Sequence, residues 1–286
     1  MLRDRIFSAA ILFLIFLVSY LSKNQTYFLF LSFVVSGILF YELAKILKLK
    51  SLSLAIYWII SFVPVIFFYV ILSLDILFLS NPSPHIRSFL INFSIFVSLV
   101  SLVFWISLAP IDLMYKKISS NVKLKIFYGY FLVVPMVIVT AIVFTQSKAM
   151  LLVLFIMIWV SDIGAYFIGK KFGKNKLAKN ISPGKTIEGA LGGFICNIIF
   201  AFILTYYYDQ ELFVVTLYAL FITGLSIFGD IYQSFLKRQA NVKDSGSIIP
   251  GHGGLLDRLD SFCAALPLAY LTYIYFYGNT SVTLTI

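Results

Sequence analysis

The chain has 286 residues, of which 61% are hydrophobic and 12% are charged, and its mean hydropathy is +0.98. Soluble domains carry about 25% charged residues, so this composition excludes an ordinary soluble protein and indicates that the lipid bilayer surrounds the chain. The formal net charge of +10 is spread over short segments between apolar runs and forms no long basic arm, so we expect no nucleic-acid partner.

Nine apolar runs follow one another along the chain, and each is close to the roughly 20 residues that a spanning helix needs. The runs cover residues 6–21, 27–47, 54–79, 89–108, 126–145, 149–169, 187–208, 212–229 and 261–277. The sequence therefore predicts an all-α, polytopic integral membrane protein with about nine transmembrane helices. The runs before residue 110 contain few ionisable groups, which suggests that residues 1–109 embed the protein in the membrane and that residues 110–286 form its catalytic region.

The Lys and Arg residues between the runs predict the orientation of the chain. With the N-terminus in the cytoplasm, 19 of them lie on the cytoplasmic side, and Lys23, Arg87 and Lys148 lie on the opposite side. Cytoplasmic loops of membrane proteins carry an excess of Lys and Arg. We therefore expect a multi-pass protein of the cytoplasmic (inner) cell membrane, with the two longest polar loops of its second half facing the cytoplasm.

Asp162 lies inside the sixth run, where an ionised side chain is costly. An ionisable residue in a spanning segment is a functional-site candidate by default, and we expect Asp162 to support substrate binding. The alternative is a packing role, in which Asp162 pairs with a basic residue near the cytoplasmic end of the helix.

The polar segment before the seventh run contains Ser182, Gly184, Lys185 and Thr186. Its Gly-Lys-Thr triplet is similar to the end of a P-loop, but a P-loop needs a glycine where Lys179 stands and a preceding strand, which an all-helical protein lacks. The segment is typical of a helix start, with Ser182 or Thr186 capping free N–H groups and an anion favoured nearby. We expect Ser182, Lys185 and Thr186 to contact substrate.

Two glycines of the seventh run, Gly189 and Gly193, are four residues apart. This spacing of small residues favours close helix contact over a ligand site.

The eighth run ends at Gly229, and Asp230, Ser234 and Lys237 follow it, the last two at spacings of four and three residues. A helix that continues past the run would place the three side chains on one face. That face would combine a carboxylate, a hydroxyl and a cation.

Residues 250–254, Pro-Gly-His-Gly-Gly, are too rich in glycine for a stable helix but suit a turn that brings backbone N–H groups close to phosphate oxygens. Asp257 and Asp260 follow, three residues apart, at the start of the last apolar run. Paired carboxylates at a membrane edge suit Mg²⁺. His252 alone is weaker evidence, because a histidine beside glycines is often a turn residue.

The alternative is that this stretch is a solvated connector whose cations fix the topology. That interpretation accounts for Lys237, Arg238 and Lys243. It does not account for Asp257 and Asp260 at the mouth of an apolar run, where ionised carboxylates are costly unless they are paired or bound to a metal.

The 27 residues from Ser234 to Asp260 resemble the signature of the phosphatidate cytidylyltransferases, also called CDP-diacylglycerol synthases. Many polar residue types recur at fixed offsets, which makes the match more specific than a single glycine-rich triplet. Weaker resemblance extends to Asp162, to Ser182 and to Gly229. The residues that carry the signature are Ser234, Phe235, Leu236, Lys237, Arg238, Lys243, Asp244, Pro250, Gly251, His252, Gly253, Gly254, Leu255, Leu256, Asp257, Arg258, Leu259 and Asp260.

The resemblance implies transfer of a cytidylyl group from CTP to phosphatidate, which gives CDP-diacylglycerol and pyrophosphate for phospholipid biosynthesis. A phosphate oxygen of phosphatidate must attack the α-phosphorus of CTP in line, so positioning and charge neutralisation matter more than a covalent nucleophile. The implied cofactor is Mg²⁺, with a second cation as a further candidate. The sequence leaves the oligomeric state open, with a homodimer among the candidates.

The resemblance also assigns roles to individual residues. The expected metal ligands are Asp230, Asp257 and Asp260. The expected catalytic residues are Asp230, Lys237, Arg238, Lys243, Asp244, Asp257, Arg258 and Asp260. The expected substrate-binding residues are Asp162, Ser182, Lys185, Thr186, Ser234, His252, Gly253 and Gly254. Because arginine can bind phosphate with two parallel hydrogen bonds, we expect Arg238 or Arg258 close to the reacting groups.

Two rival functions belong to other classes. A secondary transporter is one, since intramembrane carboxylates often serve ion movement, but two related halves with interrupted helices are not evident in the sequence. A different CTP-linked lipid enzyme is the other. A CDP-alcohol phosphotransferase is disfavoured because its Asp-Gly, Ala-Arg and spaced-aspartate pattern does not occur in the sequence. A polyprenol kinase would be distinguished by a comparison of phosphatidate with polyprenol as acceptor.

Overall fold

The computed structural model describes residues 2–78, 84–116, 122–208, 211–251 and 253–277. Its first half contains α1 (Leu2–Leu21), α2 (Thr26–Leu47), α3 (Ser51–Phe78), α4 (Pro84–Val103), a π-helical turn (Phe104–Leu108), α5 (Ala109–Met114) and α6 (Val122–Ile126). Its second half contains α7 (Tyr128–Gln146), α8 (Lys148–Phe172), β1 (Lys176–Ala178), β2 (Ser182–Thr186), α9 (Ile187–Tyr208), α10 (Leu212–Gln239) and α11 (Asp260–Tyr277).

Seven helical segments within the described residues are long and apolar enough to cross a membrane. They are Gln25–Leu47, Ser51–Ile76, Pro84–Met114, Val122–Gln146, Lys148–Phe172, Ile187–Tyr207 and Leu212–Gln239. The apolar part of α1, Phe7–Leu21, is shorter, and α11 has 18 residues but is not one of the seven. The prediction of a polytopic helical protein is confirmed, whereas the count of nine spans stays a prediction.

The central helix of the bundle is α7. It packs against α2, α3, α4, α8 and α11. In the apolar stretch that contains α7, 78% of the residues are buried, whereas in that of α9 only 28% are buried. A helix that is apolar all round and buried on all sides belongs in the interior. The outer helices expose apolar side chains instead, such as Phe202 on α9 and Phe213 on α10, as a lipid-facing surface requires.

The helices α8 and α9 pack closely through glycines. A Cβ atom on Gly189 would lie 2.7 Å from the Ala165 carbonyl oxygen, and one on Gly193 would lie 2.9 Å from that of Ser161. Real Cβ atoms do not come this close to such atoms. The predicted helix contact of the two glycines is therefore confirmed.

A two-stranded antiparallel hairpin interrupts the helical pattern, with β1 paired to β2. The expectation of an all-helical chain, and of no strand before the Gly-Lys-Thr triplet, is wrong at this point. The segment that contains β1 and β2 is polar, and its apolar residues do not recur with a helical period. It therefore lies outside the helix bundle, where its two strands pair with each other. Glu188 fastens it by accepting hydrogen bonds from the backbone N–H and side chain of Asn175, and Thr186 caps α9 by accepting the Gly189 N–H at 3.1 Å.

Candidate active site

A cavity of about 1090 Å³ lies between α1, α2, α7 and α8 and reaches the polar ends of α9, α10 and α11. Its lining changes along α8, from Phe155 and Trp159 through Asp162 to Lys170. At 1.5 Å per residue, that stretch of helix is about 22 Å long. The volume is at the upper end of the range for ligand pockets. One end is apolar and the other is charged, so the cavity suits a ligand that has both characters.

Three carboxylates from three different helices converge at the charged end. Asp162 on α8 accepts hydrogen bonds from the hydroxyl groups of Ser226 at 3.0 Å and of Ser261 at 3.1 Å. Ser226 lies one turn before Asp230 on α10, and Ser261 directly follows Asp260 on α11. The two serines therefore bring Asp162 beside the other two acids. We call Asp162, Asp230 and Asp260 the helix-end carboxylates.

Close packing of α10 on α11 brings two of these acids together. A Cβ atom on Gly229 would lie 3.0 Å from the Cβ of Ala264 and 3.1 Å from the carbonyl oxygen of Asp260, so a side chain there would push the two helices apart by a few tenths of an ångström. Asp230 and Asp260 repel each other electrostatically. Lys185 from β2 offsets part of this repulsion through an ion pair with Asp230, and both side chains of the pair are about one quarter exposed. The hairpin thus delivers a cation to the helix-end carboxylates.

The helix-end carboxylates have the right chemistry for Mg²⁺, although they do not form a complete protein cage. Within the described ranges, no group of three or more His, Cys, Asp and Glu side chains is arranged to hold a metal ion. Mg²⁺ usually binds one or two carboxylates and completes its shell with water and substrate phosphates. Asp230 and Asp260 supply such a pair at the cavity wall. The residues therefore fit the ion, and metal binding by them stays a prediction.

Asp257 is held differently. Its Oδ1 accepts a hydrogen bond from Lys237 Nζ at 2.6 Å, and its Oδ2 accepts the backbone N–H groups of Ser245 at 2.8 Å and Gly254 at 3.0 Å. Burial raises the pKa of Asp257, but these hydrogen bonds outweigh burial and hold the pKa below its ordinary value. Asp257 thus accepts three short hydrogen bonds, whereas Asp230 has one ion pair and one long hydrogen bond of 3.4 Å, so Asp257 is the less suitable metal ligand in this arrangement.

A second carboxylate holds the same loop, and it comes from the first part of the chain. Glu42 on α2 is only 1% exposed. It accepts hydrogen bonds from the Ser245 hydroxyl at 2.7 Å and from the backbone N–H groups of Leu255 at 3.0 Å and Leu256 at 2.8 Å. We call Glu42 and Asp257 the loop-holding carboxylates. The sequence analysis missed Glu42, although it is the one acid in the apolar run 27–47 and so carried a usable signal.

The glycines of the loop fit around these two acids. A Cβ atom on Gly254 would collide with the Ser245 hydroxyl and with Glu42, and one on Gly246 would lie 2.6 Å from Glu42 Oε1. Gly253 has a φ of 84°, a conformation that favours glycine. Since the N–H of Gly254 is donated to Asp257, the predicted phosphate contact of the glycines stays a prediction, and close packing against carboxylates is an observed reason for their presence.

The family of the protein follows from comparison with known proteins. The model of the cytidylyltransferase family matches residues 3–276, which is nearly the whole chain. The chain belongs to the cytidylyltransferase family. The sequence-based resemblance is confirmed.

Several curated members of the cytidylyltransferase family are similar to parts of the chain. The phosphatidate cytidylyltransferase of Haemophilus influenzae is 43% identical over 136 residues, which are 45% of this chain and 46% of that protein. The enzyme of the same name from Staphylococcus haemolyticus is 47% identical over 123 residues, 42% of this chain and 47% of that protein. The Staphylococcus aureus enzyme is 44% identical over 135 residues, 46% and 52% of the two chains. The chain thus spans about half the length of the curated relatives it matches.

The fold gathers half of the predicted site residues around one cavity. Those that line it are Asp162, Ser182, Lys185, Thr186, Asp230, Asp257, Arg258 and Asp260. Lys170 also lines the cavity and was not predicted. The predicted face of α10 exists, but the Ser234 hydroxyl lies 3.4 Å from Asp230 Oδ1 and neither Ser234 nor Lys237 lines the cavity. His252 lies outside the described residues.

The two candidate arginines are separated by the fold. Arg258 lines the cavity, whereas Arg238 is exposed and donates from Nε to the carbonyl oxygen of Ile181 at 3.3 Å, which ties α10 to the hairpin. Arg258 is therefore the one of the two that lies at the cavity wall. Lys243 and Asp244 are exposed and do not belong to the cavity lining.

Proposed function

We propose that this protein is a phosphatidate cytidylyltransferase, which transfers a cytidylyl group from CTP to phosphatidate and releases pyrophosphate. The cavity carries this proposal, because it joins an apolar compartment to the acids and cations of the signature. The names of the three relatives point to the same reaction.

The apolar part of the cavity is suited to the acyl chains of phosphatidate. Its walls come from α1, α2, α7 and α8, and include Phe16, Phe28, Met136 and Trp159. Such side chains offer the acyl chains a hydrocarbon-like surface, so that the chains avoid the cost of about 0.8 kcal/mol for each methylene group exposed to water. A lipid whose chains occupy this part would place its phosphate at the charged end, beside Arg258 and Lys185.

The charged end is suited to the triphosphate of CTP. Lys170, Lys185 and Arg258 line it and can neutralise phosphate oxygens. When bound, Mg²⁺ would add further neutralisation of the charge that develops on the leaving pyrophosphate. Asp230 and Asp260 would hold the ion. Asp257 would keep Lys237 and the loop in place, so that Arg258 stays oriented toward the phosphates.

We also propose nine spans in the cytoplasmic membrane, with the N-terminus and the charged end of the cavity in the cytoplasm. Contacts between loops support this threading. The Ser8 hydroxyl, at the start of the first span, donates to the carbonyl of Pro250, so the end of α1 assigned to the cytoplasmic side meets a loop assigned to the cytoplasm. Lys148 Nζ donates to the carbonyl of Ser22 at 2.8 Å, which joins two segments assigned to the opposite side.

Labelled CTP tests the reaction. Purified protein in detergent micelles receives phosphatidate, Mg²⁺ and CTP labelled in either the α- or the γ-phosphate. We expect the α-label in CDP-diacylglycerol and the γ-label in pyrophosphate, with no product when EDTA is present. Polyprenol in place of phosphatidate should give no labelled lipid. Transfer of the γ-label to polyprenol would identify a kinase, and pyrophosphate release that does not require phosphatidate would also contradict the proposal.

Single cysteines test the orientation, in a background that lacks the two native cysteines. A membrane-impermeant thiol reagent applied to spheroplasts should label Lys23→Cys directly and Gly184→Cys only after permeabilisation. The reverse pattern would invert the proposed topology. Mass photometry of the purified protein would decide between a monomer and the candidate homodimer.

A further inference from the structure

Glu42 and Asp257 are linked through one serine. The Ser245 N–H is donated to Asp257 Oδ2 at 2.8 Å, and the Ser245 hydroxyl is donated to Glu42 Oε2 at 2.7 Å. Ser245 is itself buried, with 6% of its surface exposed. Glu42 on α2 and Asp257 in the signature therefore both fix the position of Ser245.

Glu42 also fixes the turn that leads into Asp257 and Arg258. The backbone N–H groups of Leu255 and Leu256, the two residues directly before Asp257, are donated to Glu42. Arg258 follows and lines the cavity. Any displacement of these two N–H groups would therefore move the charged side chains that meet the ligand.

The surroundings of Glu42 leave little room for another arrangement. Glycines at 246 and 254 lie so close to its oxygens that any side chain there would collide with them. A buried carboxylate is costly unless donors surround it, and here three donors do so. If membrane embedding were the whole purpose of α2, an apolar residue would serve better at this position.

We infer that Glu42 is a positioning residue for the proposed transfer reaction: it holds Ser245, Leu255 and Leu256 in place, so that Asp257 keeps its pair with Lys237 and Arg258 is presented to the phosphates. This inference rests on the proposed function. It also means that the first part of the chain belongs to the active-site architecture as well as to the membrane anchor.

The test compares variants of the full-length protein in detergent. Glu42→Gln keeps the shape but places an amide NH₂ opposite backbone donors, Glu42→Asp keeps the charge but shortens the reach, and Glu211→Gln is a matched control at an exposed glutamate at the start of α10. Each variant is assayed for kcat, for KM of CTP, for thermal unfolding, and for amide hydrogen exchange in peptides that cover residues 245–256.

For Glu42→Gln we expect exchange in residues 245–256 to be about tenfold faster and kcat per folded protein to fall about tenfold or more, in line with the loss of hydrogen bonds to a charged group. Glu42→Asp should recover part of the kcat, and Glu211→Gln should match the wild type. Combining Glu42→Gln with Ser245→Ala should lower kcat by less than the product of the two single effects, because the two residues share one hydrogen bond.

Two results would overturn the positioning role. One is a Glu42→Gln protein whose folded fraction has a kcat within twofold of the wild type, even if its thermal unfolding temperature falls, since that pattern belongs to a purely structural residue. The other is unchanged exchange in residues 245–256. A wild-type protein that makes no CDP-diacylglycerol would overturn the proposed function instead, and the exchange measurement would still report whether Glu42 holds the loop.

Discussion

Two groups of carboxylates lie around the charged end of the cavity, and their surroundings differ. The helix-end carboxylates, Asp162, Asp230 and Asp260, meet one lysine and a few hydroxyl and N–H groups, and two of them repel each other. The loop-holding carboxylates, Glu42 and Asp257, accept hydrogen bonds from an ammonium group, a hydroxyl group and four backbone N–H groups. The helix-end carboxylates therefore have an excess of negative charge, whereas protein donors satisfy the hydrogen-bonding capacity of the loop-holding carboxylates.

This difference predicts distinct tasks for Asp257 and Asp260, although both belong to the same signature. An excess of negative charge at a membrane edge is stable only with a cation nearby, so the helix-end group is the better place for an ion and its phosphates. A carboxylate whose oxygens are all engaged serves to fix the backbone. Spacing along the chain does not separate these tasks, since Asp257 and Asp260 are only three residues apart.

The largest expected effect is the loss of activity in Asp230→Asn. This change removes a charge that the proposed ion needs, so CDP-diacylglycerol formation should fall at least about 100-fold. Thermal unfolding should change little, because Asp230 is partly exposed and its side chain is not needed to hold the loop. If Asp230→Asn kept wild-type activity at every Mg²⁺ concentration, the helix-end carboxylates would not be the ion-binding group, and their proposed difference from the loop-holding carboxylates would be wrong.

Asp257→Asn should instead affect stability as well as activity. Lys237 is paired with Asp257 at 2.6 Å with side chains 12% and 7% exposed, so the change leaves a buried ammonium without its anion. Breaking such a pair costs on the order of 3 kcal/mol. Combining the change with Lys237→Met should restore much of the lost thermal stability but not the activity. Equal unfolding temperatures for Asp257→Asn and Asp230→Asn would contradict the separation of tasks.

A pair of glycines tests the packing around the loop-holding carboxylates. In Gly254→Ala the new methyl group would meet Ser245 and Glu42, and overpacking of this kind costs about 1–3 kcal/mol. Gly184→Ala is the matched control, since nothing lies within 4 Å of an added Cβ there. Chemical denaturation in detergent should destabilise only the first variant. Similar stability of Gly254→Ala and Gly184→Ala would show that the backbone around Gly254 can shift to accommodate a methyl group at little cost.

The smallest expected effect is that of Lys185→Met. Its ammonium group pairs with Asp230 and lines the cavity, so its removal should raise the KM of CTP about tenfold, a typical value for one hydrogen bond to a charged group. Lys179→Met provides the control, because Lys179 is exposed on the same hairpin and outside the cavity lining. A rise in KM that is equal for the two variants would indicate a general electrostatic effect.

Local patterns were sufficient for much of the fold and for the motif. Apolar runs predict membrane helices because their length and composition are local properties. The 27-residue signature gave Arg258 and Asp260 directly, and Asp230 lies four residues before it. The hairpin was missed because its strands are short and polar, so strand pairing alone reveals it.

Contacts between distant segments could not be predicted from local patterns. The bond between Glu42 and Ser245 joins residues 203 positions apart, and the Lys185 pair with Asp230 joins the hairpin to α10. The separation of Arg238 from Arg258 likewise depends on tertiary structure, because the last turn of α10 points Arg238 toward the Ile181 carbonyl oxygen of the hairpin. These features arise from helix packing, which the sequence of any one segment does not record.

The change from apolar to charged lining along α8 has a consequence for kinetics. Transfer of two long acyl chains into water would cost tens of kcal/mol at about 0.8 kcal/mol per methylene, whereas a cavity walled by α1 and α2 lets the chains stay in a hydrocarbon-like environment. The lipid substrate would then arrive by lateral diffusion in two dimensions while the nucleotide arrives from water in three. The rate should therefore follow the mole fraction of phosphatidate in the membrane, and dilution with an inert lipid should lower it even when the total amount of phosphatidate is constant.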